Sequence, residues 1–246
     1  MEYVFVVTYG RSGSTALQNV LNAIDGYCIR GENGGIASKL AEAAHILHEF
    51  QIVHGPENTT PQDPWYGIAE VEPAQWKATL AERFTNEVLR PPEGTRVIGF
   101  KEVRYMPHRQ SEEEFHITMD FLTSAFPGAR VVFNTRNAVE VSQSGWWRTS
   151  GKFTPKQVEG WVAEADRRFN VAKAKLGERA FMIDHAQYKG NPDGFLPLLE
   201  WLGEELPRET LEEIGARKLT HLSHLARVKT PAPQGLKSRL LGLFRS

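Results

Sequence analysis

Two stretches of this chain bring together residue types that hold anions. In TYGRSGST (Thr8 to Thr15) a strand-like run ends in Gly10 and Gly13, the hydroxyl residues Ser12, Ser14 and Thr15 and one cation, Arg11. Glycines there let backbone N–H groups converge, and the helix-like segment that follows presents the positive end of its dipole, so the loop reads as a phosphate cradle. The second stretch, VVFNTRNAVEVSQSGWW (131 to 147), repeats the order strand, turn, helix, with Arg136 at the strand end and Ser144 eight residues on. Both side chains can point back over the carboxyl edge of a sheet, where open α/β sheets bind ligands. The chemistry of an ordinary ATP or GTP loop is disfavoured, because GxxxxGK[ST] needs a lysine after the last glycine and Ser14 stands there.

These residues must be positioned by the elements around them. Tyr3 to Thr8, Tyr27 to Arg30, Arg96 to Val103, Ala129 to Thr135 and Arg179 to Asp184 are short β-branched or aromatic runs and read as strands. Helical spacing of apolar residues falls at Ser14 to Ile24, Ile36 to Phe50, Ala74 to Leu89, Glu112 to Phe126 and Asn137 to Trp147. It recurs at Thr154 to Leu176, where threonine precedes proline at the helix start, and in short helices at Phe195 to Leu202 and Glu209 to Arg217. Alternating strands and helices predict an α/β fold, a central parallel sheet with helices on both faces. The proline-rich run from His54 to Pro73, with Trp65 and Tyr66, reads as a long inserted loop that forms part of a substrate wall.

A length of 246 residues fits one large domain, expected over residues 1–228, with a basic tail over 229–246 that could touch a membrane surface weakly. Lys plus Arg (29) balance Asp plus Glu (30), so nothing global draws the chain to nucleic acid and any anion site must be local. Cys28, the single cysteine, rules out an internal disulfide and points to a reducing compartment, the cytoplasm. No apolar run is long enough to span a bilayer, and the N-terminus lacks the pattern of a secretory signal.

Taken together, TYGRSGST and TRNAVEVSQS resemble the two signatures of the sulfotransferases that use 3′-phosphoadenosine 5′-phosphosulfate (PAPS), in order, separation and Arg-x7-Ser spacing. The strand IGFK ending in Lys101 and the segment FLPLLEWLG are similar to that family as well, so the likeness runs from residue 3 to about 204. The resemblance implies a P-loop-like sulfotransferase fold, PAPS as donor, PAP as product and no metal. It implies that Gly13, Ser14 and Thr15, with Ser12 beside them, hold the 5′-phosphate. Arg11, where most relatives carry lysine, would stabilise the leaving group's charge, and Arg136 with Ser144 would hold the 3′-phosphate. Lys101 would steady the sulfuryl group.

Some positions depart from the family. Val103 stands where the cytosolic steroid and phenol enzymes place a catalytic histidine, so the general base is expected to be Glu32 in RGENGG, as in bacterial trehalose sulfotransferases, with Glu102 as rival. Ala16 replaces the tryptophan that stacks on adenine. The family's C-terminal Arg-Lys-Gly segment is represented only by Arg217, Lys218, Arg227 and Lys229, and His221 with His224 lacks a third metal ligand. Arg104 and His108 read as loop residues within reach of an acceptor. Trp65, Tyr66, Trp146 and Trp147, together with a glutamate base, favour a carbohydrate hydroxyl as acceptor, such as a bacterial polysaccharide or glycolipid precursor. A P-loop kinase or nucleotide hydrolase, and a nucleotide-binding module without catalysis, are the competing classes.

Overall fold

The computed structural model describes residues 1–216. The 229–246 tail, Arg217, Lys218, His221, His224, Arg227 and Lys229 lie outside the described residues. In chain order the elements are β1 (Glu2–Val7), α1 (Ser14–Leu21), β2 (Tyr27–Arg30), α2 (Ile36–His54), α3 (Pro73–Arg83), β3 (Val97–Glu102) and α4 (Glu112–Ser124). There follow β4 (Arg130–Thr135), α5 (Ala138–Ser142), α6 (Gly145–Thr149), α7 (Pro155–Leu176), β5 (Ala180–Asp184), α8 (His185–Tyr188), α9 (Leu196–Leu202) and α10 (Arg208–Ala216).

The five strands form one parallel sheet in the order β2-β3-β1-β4-β5. Side chains alternate across a strand, and β1 shows the consequence. Phe5 and Val7 join the layer built by α2, α3, α4 and α7, whereas Val4 and Val6 join the layer built by α1, α9 and α10. Helices thus cover both faces, as expected for a sheet whose central strands are apolar throughout. On the first face an aromatic cluster packs edge to face: Phe5, Phe84, Phe100 and Phe121 all contact Phe126 or one another at ring-centroid distances of 5.0 to 6.3 Å.

Because β1 is central and the chain leaves it first to one side and later to the other, the strand order reverses there. In open α/β sheets ligands bind in the crevice at such a reversal, here beyond the carboxyl ends of β1, β3 and β4. The loop from Thr8, Lys101 and Arg136 therefore all arrive at one edge.

Two expectations about the elements are corrected. Residues 137–147 do not form one helix: α5 ends at Ser142 and α6 begins at Gly145, which has φ 52°. The proline-rich segment does not wall the crevice. Its Trp65 stacks on His54 with ring centroids 4.5 Å apart and on Phe50, and Gln51 bonds to Val71 O, all at the C-terminal end of α2. Phe50 lies fourteen residues beyond Ile36, about 21 Å along a helix that rises about 1.5 Å per residue, so the segment sits far from Glu32.

Candidate functional site

The loop after β1 is pinned from beneath by β4 and α8. Thr8 Oγ1 donates to the Asn134 carbonyl at 2.7 Å and lies 2.7 Å from Ser12 Oγ. Asn134 Nδ2 donates to Ser12 O at 3.1 Å, and the Tyr188 hydroxyl donates to Asn134 Oδ1 at 2.7 Å. These groups are buried, so each needs its partner and the loop has one conformation. The Ser12 hydroxyl is turned into the protein, which corrects the expectation that it faces a ligand; Ser12 is fully buried.

The reversal of the chain is made at Arg11 (φ 73°) and Gly13 (φ 86°), not at Gly10. Gly13 is the N-cap of α1 and offers no side-chain cap to the first turn, which leaves backbone donors at the positive end of the helix for an anion. A Cβ at Gly13 would collide with the His185 ring and come 2.9 Å from the Tyr188 hydroxyl, so the packing here requires glycine as well. Burial holds the His185 imidazole below the ordinary histidine range, and the charges of Arg136 and Lys189 add to that.

Two arginines converge on this loop. Arg136 Nη1 donates to Arg11 O at 2.9 Å, and Arg11 Nε donates to Ser144 Oγ at 3.1 Å. Burial, and the positive charge of Arg136, press the Arg11 guanidinium below its usual pKa. Like charges held together in a half-buried place disfavour each other unless an anion joins them. Arg11, Gly13, Ser14, Thr15, Arg136 and Ser144 are thus brought to one spot.

Lys101 and Glu32 form a second cluster a strand away. Lys101 Nζ donates to Glu32 Oε1 at 2.6 Å; the lysine side chain is 7% exposed and the glutamate 49%. Glu102 has a different task. Its Oε2 accepts from the backbone N–H of Asn33 at 3.2 Å and Gly35 at 2.9 Å, and its Oε1 from Val103 at 2.8 Å. Fully buried and spent on three backbone donors, Glu102 anchors the loop that carries Glu32 and cannot turn to meet an acceptor.

The aromatic residues divide. Trp146 is 42% exposed and covers Gly10, where a Cβ would lie 3.4 Å from its ring. Trp147 is buried among His108, Phe153 and Trp161, so it belongs to the core rather than to the cleft.

Sequence reasoning missed Asn134, His185, Tyr188, Glu140 and Lys189. Only the register of β4 against β5, which pairs Asn134 with Ile183 and Thr135 with Asp184, places α8 beside the loop. A half-buried acid, Asp166 on α7, accepts from the Tyr9 hydroxyl at 2.9 Å, and that hydroxyl accepts from the backbone N–H of Arg136 at 2.8 Å. Burial raises the Asp166 carboxyl to about 6. A raised carboxyl favours the fold while protonated, and that contribution is lost as pH climbs from about 4 through about 6. Asp166→Asn keeps the acceptor oxygen and removes the charge. The variant is expected to be more stable than the parent at pH 7 by about 2 kcal/mol, with the two converging near pH 4, as read from urea midpoints across that range.

A family model described as the sulfotransferase family matches residues 3–208. Among solved structures, the sulfotransferase domain from the Synechococcus PCC 7002 olefin synthase is 16% identical, with 89% of this chain and 78% of that one covered at a TM-score of 0.56. Sulfotransferase STF9 from Mycobacterium avium is 14% identical over 94% of this chain and 68% of that one, with a TM-score of 0.42. Retinol dehydratase in complex with androsterone and inactive cofactor PAP is 12% identical over 87% of this chain and 63% of that one, with a TM-score of 0.40. The first of these supports a shared fold. No curated protein sequence matches significantly.

Proposed function

The chain belongs to the sulfotransferase family, and from that premise we propose that it moves the sulfuryl group of PAPS to a carbohydrate hydroxyl with Glu32 as general base. The family draws on PAPS, which supplies an activated sulfuryl group on a 5′-phosphate. The observation that carries the donor assignment is that Arg11 and Arg136 stand beside a helix terminus that no side chain caps, which suits an anion. In this reading Gly13, Ser14 and Thr15 hold the 5′-phosphate, Arg11 meets the charge that develops on the leaving phosphate, and Arg136 with Ser144 takes the 3′-phosphate. Lys101 steadies the sulfuryl oxygens, and its present partner, Glu32, takes the proton of the entering hydroxyl. None of these roles calls for a metal. The setting proposed is the cytoplasm of a bacterium, with a polysaccharide or glycolipid precursor as acceptor; among the described residues no helix is long and apolar enough to cross a membrane.

A cavity of about 210 Å³ beside the Glu32 loop supports the acceptor class. Gly34, Gly35, Ser38, Arg104, Arg109 and Gln110 line it. It is smaller than the roughly 300 Å³ at which pockets for drug-sized ligands begin, which suits one sugar ring better than a fused steroid.

The donor is checked by thermal melting. PAP at about 100 times its dissociation constant is expected to add about 2.7 kcal/mol, which moves the melting temperature by several degrees, whereas ATP with Mg²⁺ has little effect. Stabilisation by ATP alone would overturn the reading. Screening sugars against radiolabelled PAPS then checks the acceptor.

A further inference from the structure

Beside the loop a carboxylate from this chain sits on Arg136, the cation assigned to the second phosphate. Glu140 Oε2 accepts from Arg136 Nε at 3.0 Å and from Nη2 at 2.8 Å. Lys189 Nζ, from the residue that follows α8, reaches both carboxylate oxygens, at 3.2 and 3.3 Å. Two cations from separate elements, one after β4 and one after β5, therefore converge on a single anion. Nothing in the fold demands that the anion be Glu140. Its side chain is 42% exposed and that of Lys189 56%, while that of Arg136 is 17%, so the carboxylate and the ammonium face solvent and their pair is weakly held. Arg136 keeps its third contact, to Arg11 O, whatever occupies the other two nitrogens.

We propose that Glu140 is a resident stand-in for the 3′-phosphate of PAPS, displaced when the donor enters, and that Lys189 is a 3′-phosphate contact. The inference rests on the donor reading above. A phosphate offers more negative charge and more acceptor oxygens than a carboxylate, so it competes well for a fork and an ammonium already aimed at one point. Glu140 then has to swing away, since like charges within a few ångströms repel. The device makes the free site self-neutralised and makes affinity depend on a phosphate at that position, which favours PAPS over donors or nucleotides that lack it.

Calorimetric titration of PAP and of 5′-AMP, which lacks the 3′-phosphate, tests this on the full chain. Glu140→Gln is expected to tighten PAP about five- to tenfold at low salt, and Lys189→Met to weaken it about five- to tenfold; both leave 5′-AMP within about twofold. Melting curves confirm that each variant is folded. If Glu140→Gln weakens PAP, the carboxylate orients Arg136 and is no competitor, and the inference fails. If Lys189→Met leaves PAP binding unchanged, the second contact fails. If the parent binds PAP no better than 5′-AMP, the donor reading itself is overturned and the inference with it.

Discussion

Glu32→Gln is expected to lower turnover about 10²- to 10⁴-fold while PAP affinity stays within about twofold. Glutamine is nearly the same size and its amide oxygen can still accept from Lys101 Nζ, now 2.6 Å from Glu32 Oε1, so the loop keeps its contact and loses only basicity. The loop is independently held, because Glu102 grips the N–H groups of Asn33 and Gly35 on either side of its turn. The proposed role asks one residue to be paired with a cation and still serve as base. Lys101 is almost enclosed while Glu32 is 49% exposed, so the glutamate is the partner freer to move. In the proposed mechanism an entering sulfuryl group would offer Lys101 other oxygens and release the carboxylate toward the acceptor. Single-turnover kinetics with saturating donor measure the effect directly. Turnover at the parent rate, with PAP still bound, would remove Glu32 from the mechanism.

Much of this arrangement could be read from the residues alone, and the reasons are physical. The strands are short apolar runs stopped by glycine, proline or charge, and their order along the chain, alternating with helices, leaves few topologies. The glycine loop and the Arg136 segment each directly follow a strand, so local sequence already assigns both to the carboxyl edge. The failures have tertiary causes. The break between α5 and α6 is invisible in VEVSQSGWW because the positive φ of Gly145 goes with Arg11, 134 residues earlier, lying against it. The placing of the Trp65 segment at the far end of α2 depends on packing with Phe50 and His54. Glu140 could be seen only as an acid four residues after Arg136, an ordinary helical pair, until Lys189 arrives from β5. Glu102 looked like a rival base because its type and neighbourhood were right; only its three backbone donors show how it is used.

Arg11→Gly is expected to cost about 10²- to 10³-fold in turnover with little change in stability. The two halves of that statement have separate origins. Arg11 holds φ at 73°, a left-handed conformation that costs a side-chain-bearing residue about 1 to 2 kcal/mol, and glycine relieves it. Glycine also loses about 0.5 to 1 kcal/mol more than alanine in chain entropy, so the two effects largely cancel and the melting temperature should move by only a few degrees. Turnover has no such compensation, because the guanidinium that faces Ser144 and the loop is gone. Arg11→Lys restores a cation without the fork and is expected to recover part of the loss. Gly145→Ala reaches the same group from the other side: its Cβ would lie 2.7 Å from Arg11 Nε and push the guanidinium out of place. If Arg11 acts on the leaving phosphate, Gly145→Ala lowers turnover in the parent but adds almost nothing in the Arg11→Gly background. Additive losses in the double variant would mean that the turn at Gly145 serves Ser144 or Trp146 instead, and parental turnover in Arg11→Gly would deny the arginine any part in the transfer.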